Sequence, residues 1–271
     1  MTAVCDFEFK NKYGIDDLLH IMRILRAPGG CPWDAEQNHN SIRHNFLEET
    51  YEVLEAIDTD NAVLLEEELG DVLLQVVFHT QMEDEKGVFD FSDVCDGICQ
   101  KLIVRHPHVF GDVSVSGSGE VLKNWDDIKR RTKSQKTQTE AMASVPEVFP
   151  ALMKSQKIQG KAAKAGFDWE NADGAFDKLL EESDELKSAL ASGDKDAVED
   201  ELGDLLFSAV NIARFCGCEA ETALDRATKK FMRRFAAVES EAAKRGIDMK
   251  TSAPELLDRL WEEAKNSSEE G

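Results

Sequence analysis

The chain has 271 residues, with 54 Asp or Glu against 32 Lys or Arg, and so carries a formal charge of −22. A chain this acidic does not track nucleic-acid phosphates, and an anionic partner would need a local device such as a bound divalent cation. No run of 18 apolar residues is long enough to cross a membrane, and the acidic start "MTAVCDFEFKNKYGID" lacks the basic-then-apolar order of a secretion signal, so the expected location is the cytoplasm.

The length suits two domains, and 42% hydrophobic content is enough for a core in each. Six scattered cysteines form no Cys-x-x-Cys pair, which argues for reduced thiols and against structural zinc. Helical periodicity runs through most of the chain and alternating β-branched runs are nearly absent. The expected class is therefore all-α.

In chain order, "APGGCPWD" (27–34) punctuates the approach to the first strong helix, "LEETYEVLEAI" (47–57). A polar turn, "TDN" (59–61), separates it from "EELGDVLLQVVFHTQ" (67–81). At about 100° per residue, Glu68, Asp71, Gln75 and His79 share one narrow strip of that second helix, while Leu, Val and Phe cover the rest. A helix so apolar should be buried on nearly all sides, and its acidic strip should not face bulk water. Glu52 and Glu68 lie eight residues either side of Asp60, and Glu49 and Asp71 lie eleven either side. If the turn closes an antiparallel pair, these four carboxylates meet roughly 12–16 Å from it.

Next come "KLIVR" (101–105) and "HPHVFGDVSVSGSG" (106–119), the latter read as loop, with His106 and His108 as loop residues and the Gly-Ser-Gly as flexible. "WDDIK" (125–129) follows. The polar, aperiodic stretch 134–146 is the best linker, placing one domain at 11–133 and the second at 147–266.

The second domain repeats the first. "LEESDELKSAL…EDELGDLLFSAV", from Leu180, overlays the stretch from Leu47 with a constant shift of 133 residues and no gap. Glu49, Glu52, Glu68 and Asp71 fall on Glu182, Glu185, Glu201 and Asp204, arranged about Gly193 as the first set is about Asp60. "KFMRR" (230–234) and "WEEAK" (261–265) echo the later motifs of the first half. Converging like charges repel unless a cation lies among them. Oxygen-only ligands suit a hard divalent ion, and magnesium fits better than zinc. A di-iron bundle would need Glu-x-x-His, and no histidine lies three residues after any of these eight carboxylates. A hairpin with a charged inner strip also needs a second hairpin, giving a four-helix bundle expected to form across a dimer.

These motifs, together with "GGCPWDAEQ", "VRHPHVFGD" and "KIQGKAAKAGFDW", resemble the tandem-domain MazG nucleoside triphosphate pyrophosphohydrolases along nearly the entire chain. The resemblance implies a helical homodimer that hydrolyses nucleoside triphosphates to monophosphate and pyrophosphate with magnesium, or manganese in its place. It implies metal ligands at Glu182, Glu185, Glu201 and Asp204, with Glu49, Glu52, Glu68 and Asp71 as first-domain counterparts. The second domain would be the principal catalytic one. Its substrate-binding positions would be Lys230, Arg234, Trp261 and Lys265, matched by Lys101, Arg105, Trp125 and Lys129. Glu181, Glu182 and Glu185 are the catalytic candidates, and sequence does not separate Glu181 from Glu182 as the group that orients or deprotonates water. Two alternatives stay open: a pyrophosphatase confined to one nucleotide such as dUTP or dCTP, and a first domain that only regulates or dimerises.

Overall fold

The computed structural model describes residues 7–132 and 137–268, which hold helices and no strand. Two compact units divide the chain, one ending at Lys129 and the other beginning at Arg130. The first contains α1 (Ile15–Arg26), α2 (Pro32–Glu36), α3 (Arg43–Asp58), α4 (Ala62–Asp84), α5 (Phe91–Arg105), α6 (Pro107–Phe110) and α7 (Ser118–Thr132), whose last turn crosses the division. The second contains α8 (Gln138–Ala143), α9 (Ala151–Lys164), α10 (Ala172–Ser192), α11 (Lys195–Phe215), α12 (Ala220–Arg245) and α13 (Pro254–Ser268).

The repeat seen in sequence is a repeat of antiparallel hairpins, α3 against α4 and α10 against α11. Both turns use the same device at the same register. The chain reverses through a left-handed residue, Asp60 at φ +50° in the first hairpin and Gly193 at φ +74° in the second. The next residue then caps the second helix: the side chain of Asn61 accepts from the Leu64 amide, and that of Asp194 accepts from the amides of Asp196 and Ala197. In each unit a preceding helix, α1 or α9, lies across the second helix of the hairpin.

The first core gathers Met22 of α1, Ile42, and Val77, Phe78 and Met82 of α4, with Leu18, Leu19, Leu74 and Phe91 packed around it. Full burial of side chains such as Met22 and Val77 is worth about 1.5–3 kcal/mol each. In the second unit a core of Val238, Ala242, Leu260 and Ala264 joins α12 to α13.

Several local expectations change. His106 closes α5 and Pro107 opens the single turn α6, because proline supplies the helical φ and lacks only an N–H that a first turn leaves unbonded. Of the Gly-Ser-Gly read as flexible loop, Ser118 and Gly119 form the start of α7. Within the stretch read as a linker lies α8, held by a reciprocal cap between Thr137 and Glu140, with Ala141 and Val145 buried; residues 133–136 lie outside the described residues. The apolar surround of α4 is only partly covered within the chain. Leu69 and Leu73 stay exposed, as do Leu47, Tyr51, Leu54 and Ile57 of α3, because none of the described residues covers them.

Candidate active site

Each hairpin brings carboxylates together where its two helices face one another. In the first, oxygens of Glu49, Glu68 and Asp71 all lie within 4.8 Å of one another; in the second, Glu182, Glu201 and Asp204 do the same. These distances suit a shared hard cation better than ordinary surface acids, because Glu68 and Glu182 are buried, at 8% and 3% exposure. The donor set is all oxygen in both units, as magnesium requires.

The fourth carboxylate of each set stands at the edge. Glu52 is exposed but in hydrogen-bonding contact with Glu49 and Glu68, and Glu185 is exposed in contact with Glu182. Crowding shows in the electrostatics. Burial, the contact with Glu52 and the charges of Asp71, Glu52 and Glu68 raise the Glu49 carboxyl above its ordinary value. Glu68 is raised by burial and by Glu52 and Asp71. Glu185 is raised chiefly by its bond to Glu182, then by burial and the charges of Glu182 and Glu201, with Lys178 opposing. Negative charge concentrated in this way favours a divalent cation.

Lys178 was not singled out from sequence. Its ammonium lies 2.6 Å from Glu182 and 2.9 Å from Glu181, and the two carboxylates raise its pKa strongly. The signal was present as lysine three and four residues before two acids on one helix. Asn45 stands at the matching place in the first unit, so that cluster has no such cation at this position.

Beyond the acids, the strip on α4 remains polar. Gln75 is buried with Oε1 unpartnered, and His79 meets His39 across 2.7 Å between their Nδ1 atoms. His39 in turn bonds Glu83 at 2.5 Å. Burial, and then His39, holds the His79 pKa below its ordinary value.

The basic and aromatic positions are less tightly gathered. Lys230 is exposed on α12, one turn from half-buried Arg234. On α13, Trp261 packs 5.2 Å from the ring of Phe231, beside the α12–α13 core, and Lys265 pairs with Glu262. In the first unit, Lys101 is exposed on α5, the Arg105 guanidinium lies over the Trp125 ring at 5.3 Å, and that ring meets His106 edge-on; Lys129 is half-buried on α7.

The MazG nucleotide pyrophosphohydrolase domain matches the chain twice, over residues 37–110 and 173–238, each copy spanning one acidic hairpin. The chain belongs to the MazG family. A nucleoside triphosphate pyrophosphohydrolase of Escherichia coli K12 is 48% identical over 254 residues, covering 93% of this chain and 97% of the relative. The Thermotoga maritima nucleoside triphosphate pyrophosphohydrolase/pyrophosphatase MazG is 44% identical over 254 residues, covering 94% and 96%. An uncharacterised Bacillus subtilis protein, YabN, is 44% identical over 248 residues, which cover 91% of this MazG chain but half of YabN.

Proposed function

We propose that the protein hydrolyses nucleoside triphosphates to nucleoside monophosphate and pyrophosphate, chiefly at the second unit, with magnesium held by Glu182, Glu201 and Asp204 and completed by Glu185. The observation that carries this reading is the convergence of three carboxylates within 4.8 Å in a hairpin that the family model covers. Bound there, magnesium supplies the positive charge that a triphosphate and its transition state need. Lys178 bonds both Glu181 and Glu182 and so fixes their rotamers, leaving these two, with Glu185, to orient the attacking water and take its proton. Lys230 and Arg234 share one face of α12 and hold the departing pyrophosphate. Trp261 and Lys265, one helical turn apart on α13, close the substrate side. Lys178 also supports assigning the main activity to the second unit, since the first has Asn45 in its place. Glu49, Glu52, Glu68 and Asp71 hold a second ion, with Lys101, Arg105, Trp125 and Lys129 as the first-unit counterparts of the substrate positions.

The working form is a homodimer. Apolar side chains left exposed on both hairpins, among them Leu54 and Leu69 in the first and Leu180 and Leu202 in the second, support a four-helix bundle completed by a second copy. Among the described residues no helix is long and apolar enough to cross a membrane. Free thiols at Cys31, Cys95, Cys99, Cys216 and Cys218 support a reducing compartment, the cytoplasm.

The test is a panel of ribo- and deoxyribonucleoside triphosphates with magnesium, scored for pyrophosphate against orthophosphate. Magnesium-dependent pyrophosphate with no orthophosphate is expected; orthophosphate as the first product would refute the reading.

A further inference from the structure

A cavity of about 350 Å³ opens in the second unit between α9, the turn at 166–169 and α11. Its polar side is built from buried groups. Gln159 and Asn211 are each 6% exposed. The Gln159 Nε2 donates to the Phe207 carbonyl at 2.8 Å, which fixes the orientation of the amide and leaves Oε1 buried with no partner. Folded proteins rarely strand an acceptor in this way unless something supplies the donor.

The cationic group at the cavity is already engaged. Arg214 forks onto the Asp168 carboxylate, at 2.9 and 2.5 Å, and its Nε donates to Asn211 Oδ1 at 2.9 Å. The lining therefore does not call for a phosphate. Its rim is aromatic: Phe167 is 84% exposed, and Trp169 and Phe207 are exposed beside it. The indole of Trp169 rests where Gly174 has no side chain, since a Cβ there would come within 2.3 Å of its ring.

The cavity continues the face that carries the acids. Asn211 lies seven residues after Asp204, on the same side of α11 and about 10 Å further along the axis. A pentose together with its first phosphates spans a gap of that order. Within the ungapped 133-residue repeat, Asn211 falls on Phe78 of the first unit. There the Arg26 guanidinium sits 5.3 Å from the Phe78 ring, bonds the carbonyls of Asp34 and Gln37, and forks onto Glu85. An aromatic ring covered by a salt-bridged arginine thus stands where the second unit has Asn211.

We infer that this cavity receives the nucleobase of a triphosphate whose phosphates are held at Glu182, Glu201 and Asp204, the base lying against Phe167 and Trp169 and donating an N–H to Gln159 Oε1. The inference rests on the function proposed above. The volume is of the size of small-ligand pockets, and base-on-aromatic contact tolerates any base. Every common base offers an N–H edge, so the cavity selects a flat heterocycle and accepts more than one.

Calorimetric titration of the full-length protein with magnesium tests this, using α,β-methylene-ATP and inorganic tripolyphosphate as probes. Phe167→Ala removes an exposed side chain with no part in the fold and should weaken the nucleotide analogue roughly tenfold. Gln159→Met keeps the volume and should weaken it roughly fivefold. Neither should alter tripolyphosphate affinity. The inference is overturned if both variants bind the analogue as the wild type does, if tripolyphosphate binding falls in equal proportion, or if Phe167→Ala dissociates a dimer, which would place a second copy of the chain over the cavity. A wild-type protein that releases no pyrophosphate from any triphosphate would overturn the functional reading itself. Normal turnover with unchanged analogue binding in both variants overturns the nucleobase site alone.

Discussion

Glu201→Gln replaces one of three clustered oxygens on the α10–α11 hairpin by a neutral amide while keeping its shape, so its effect isolates the charge that a cation would meet. A ligand that binds only the folded state stabilises it by RT ln(1 + [L]/Kd), about 2.7 kcal/mol at a hundredfold excess over Kd. For a chain of this size each kcal/mol moves the melting temperature by about 2–4 °C, so saturating magnesium should raise the transition of the second unit by about 5–10 °C. Glu201→Gln should abolish that rise and leave the metal-free transition unchanged or slightly higher, because one of the like charges crowding Glu185 is gone. Differential scanning calorimetry with and without magnesium reads both quantities. Glu68→Gln is the companion measurement for the first unit, so each hairpin is scored separately. An undiminished magnesium increment in Glu201→Gln, with the folded baseline intact, would refute a shared ion at this cluster.

Two further outcomes follow from the same geometry. The folded-state pKa values of Glu49, Glu68 and Glu185 are raised, so the folded protein holds extra protons between the ordinary carboxyl range and those raised values. Their contribution to metal-free stability therefore falls as pH rises through that window, while the lowered His79 contributes in the opposite sense toward the ordinary histidine range; the magnesium increment should grow across the window as the ligands ionise, and an increment that does not change with pH would contradict this. Asp60 occupies the left-handed position that glycine fills in the second hairpin. Asp60→Gly should accordingly be neutral or stabilising by up to about 1 kcal/mol, while Gly193→Ala should destabilise by about 1–2 kcal/mol, both read from urea midpoints.

The hairpins and their acids were legible because a helix converts spacing into direction. Residues eight and eleven either side of Asp60 or Gly193 must come level once the chain reverses, and the ungapped 133-residue repeat made the coincidence hard to dismiss. At the edge, Glu52 and Glu185 are exposed and join the clusters by contact with one neighbouring acid or two. Lys178 was hidden by commonness, since a lysine one turn from a glutamate is usually a surface pair. The cavity was illegible for a different reason: Gln159 and Trp169 lie far in sequence from Asn211 and Arg214, and the two pairs meet only when α9 lies across α11. The stretch at 137–146 escaped because a six-residue helix is too short for periodicity, and only the Thr137–Glu140 cap marked it.

Counting bound ions tests the central claim most directly. Manganese, as a paramagnetic stand-in for magnesium, can be titrated into the full-length protein and its free fraction followed by electron paramagnetic resonance. The account predicts saturable binding in the wild type, loss of the second-unit site in Glu201→Gln, and loss of both sites when Glu68→Gln is added. A double variant that binds as many ions as the wild type, with the same affinity, would contradict it.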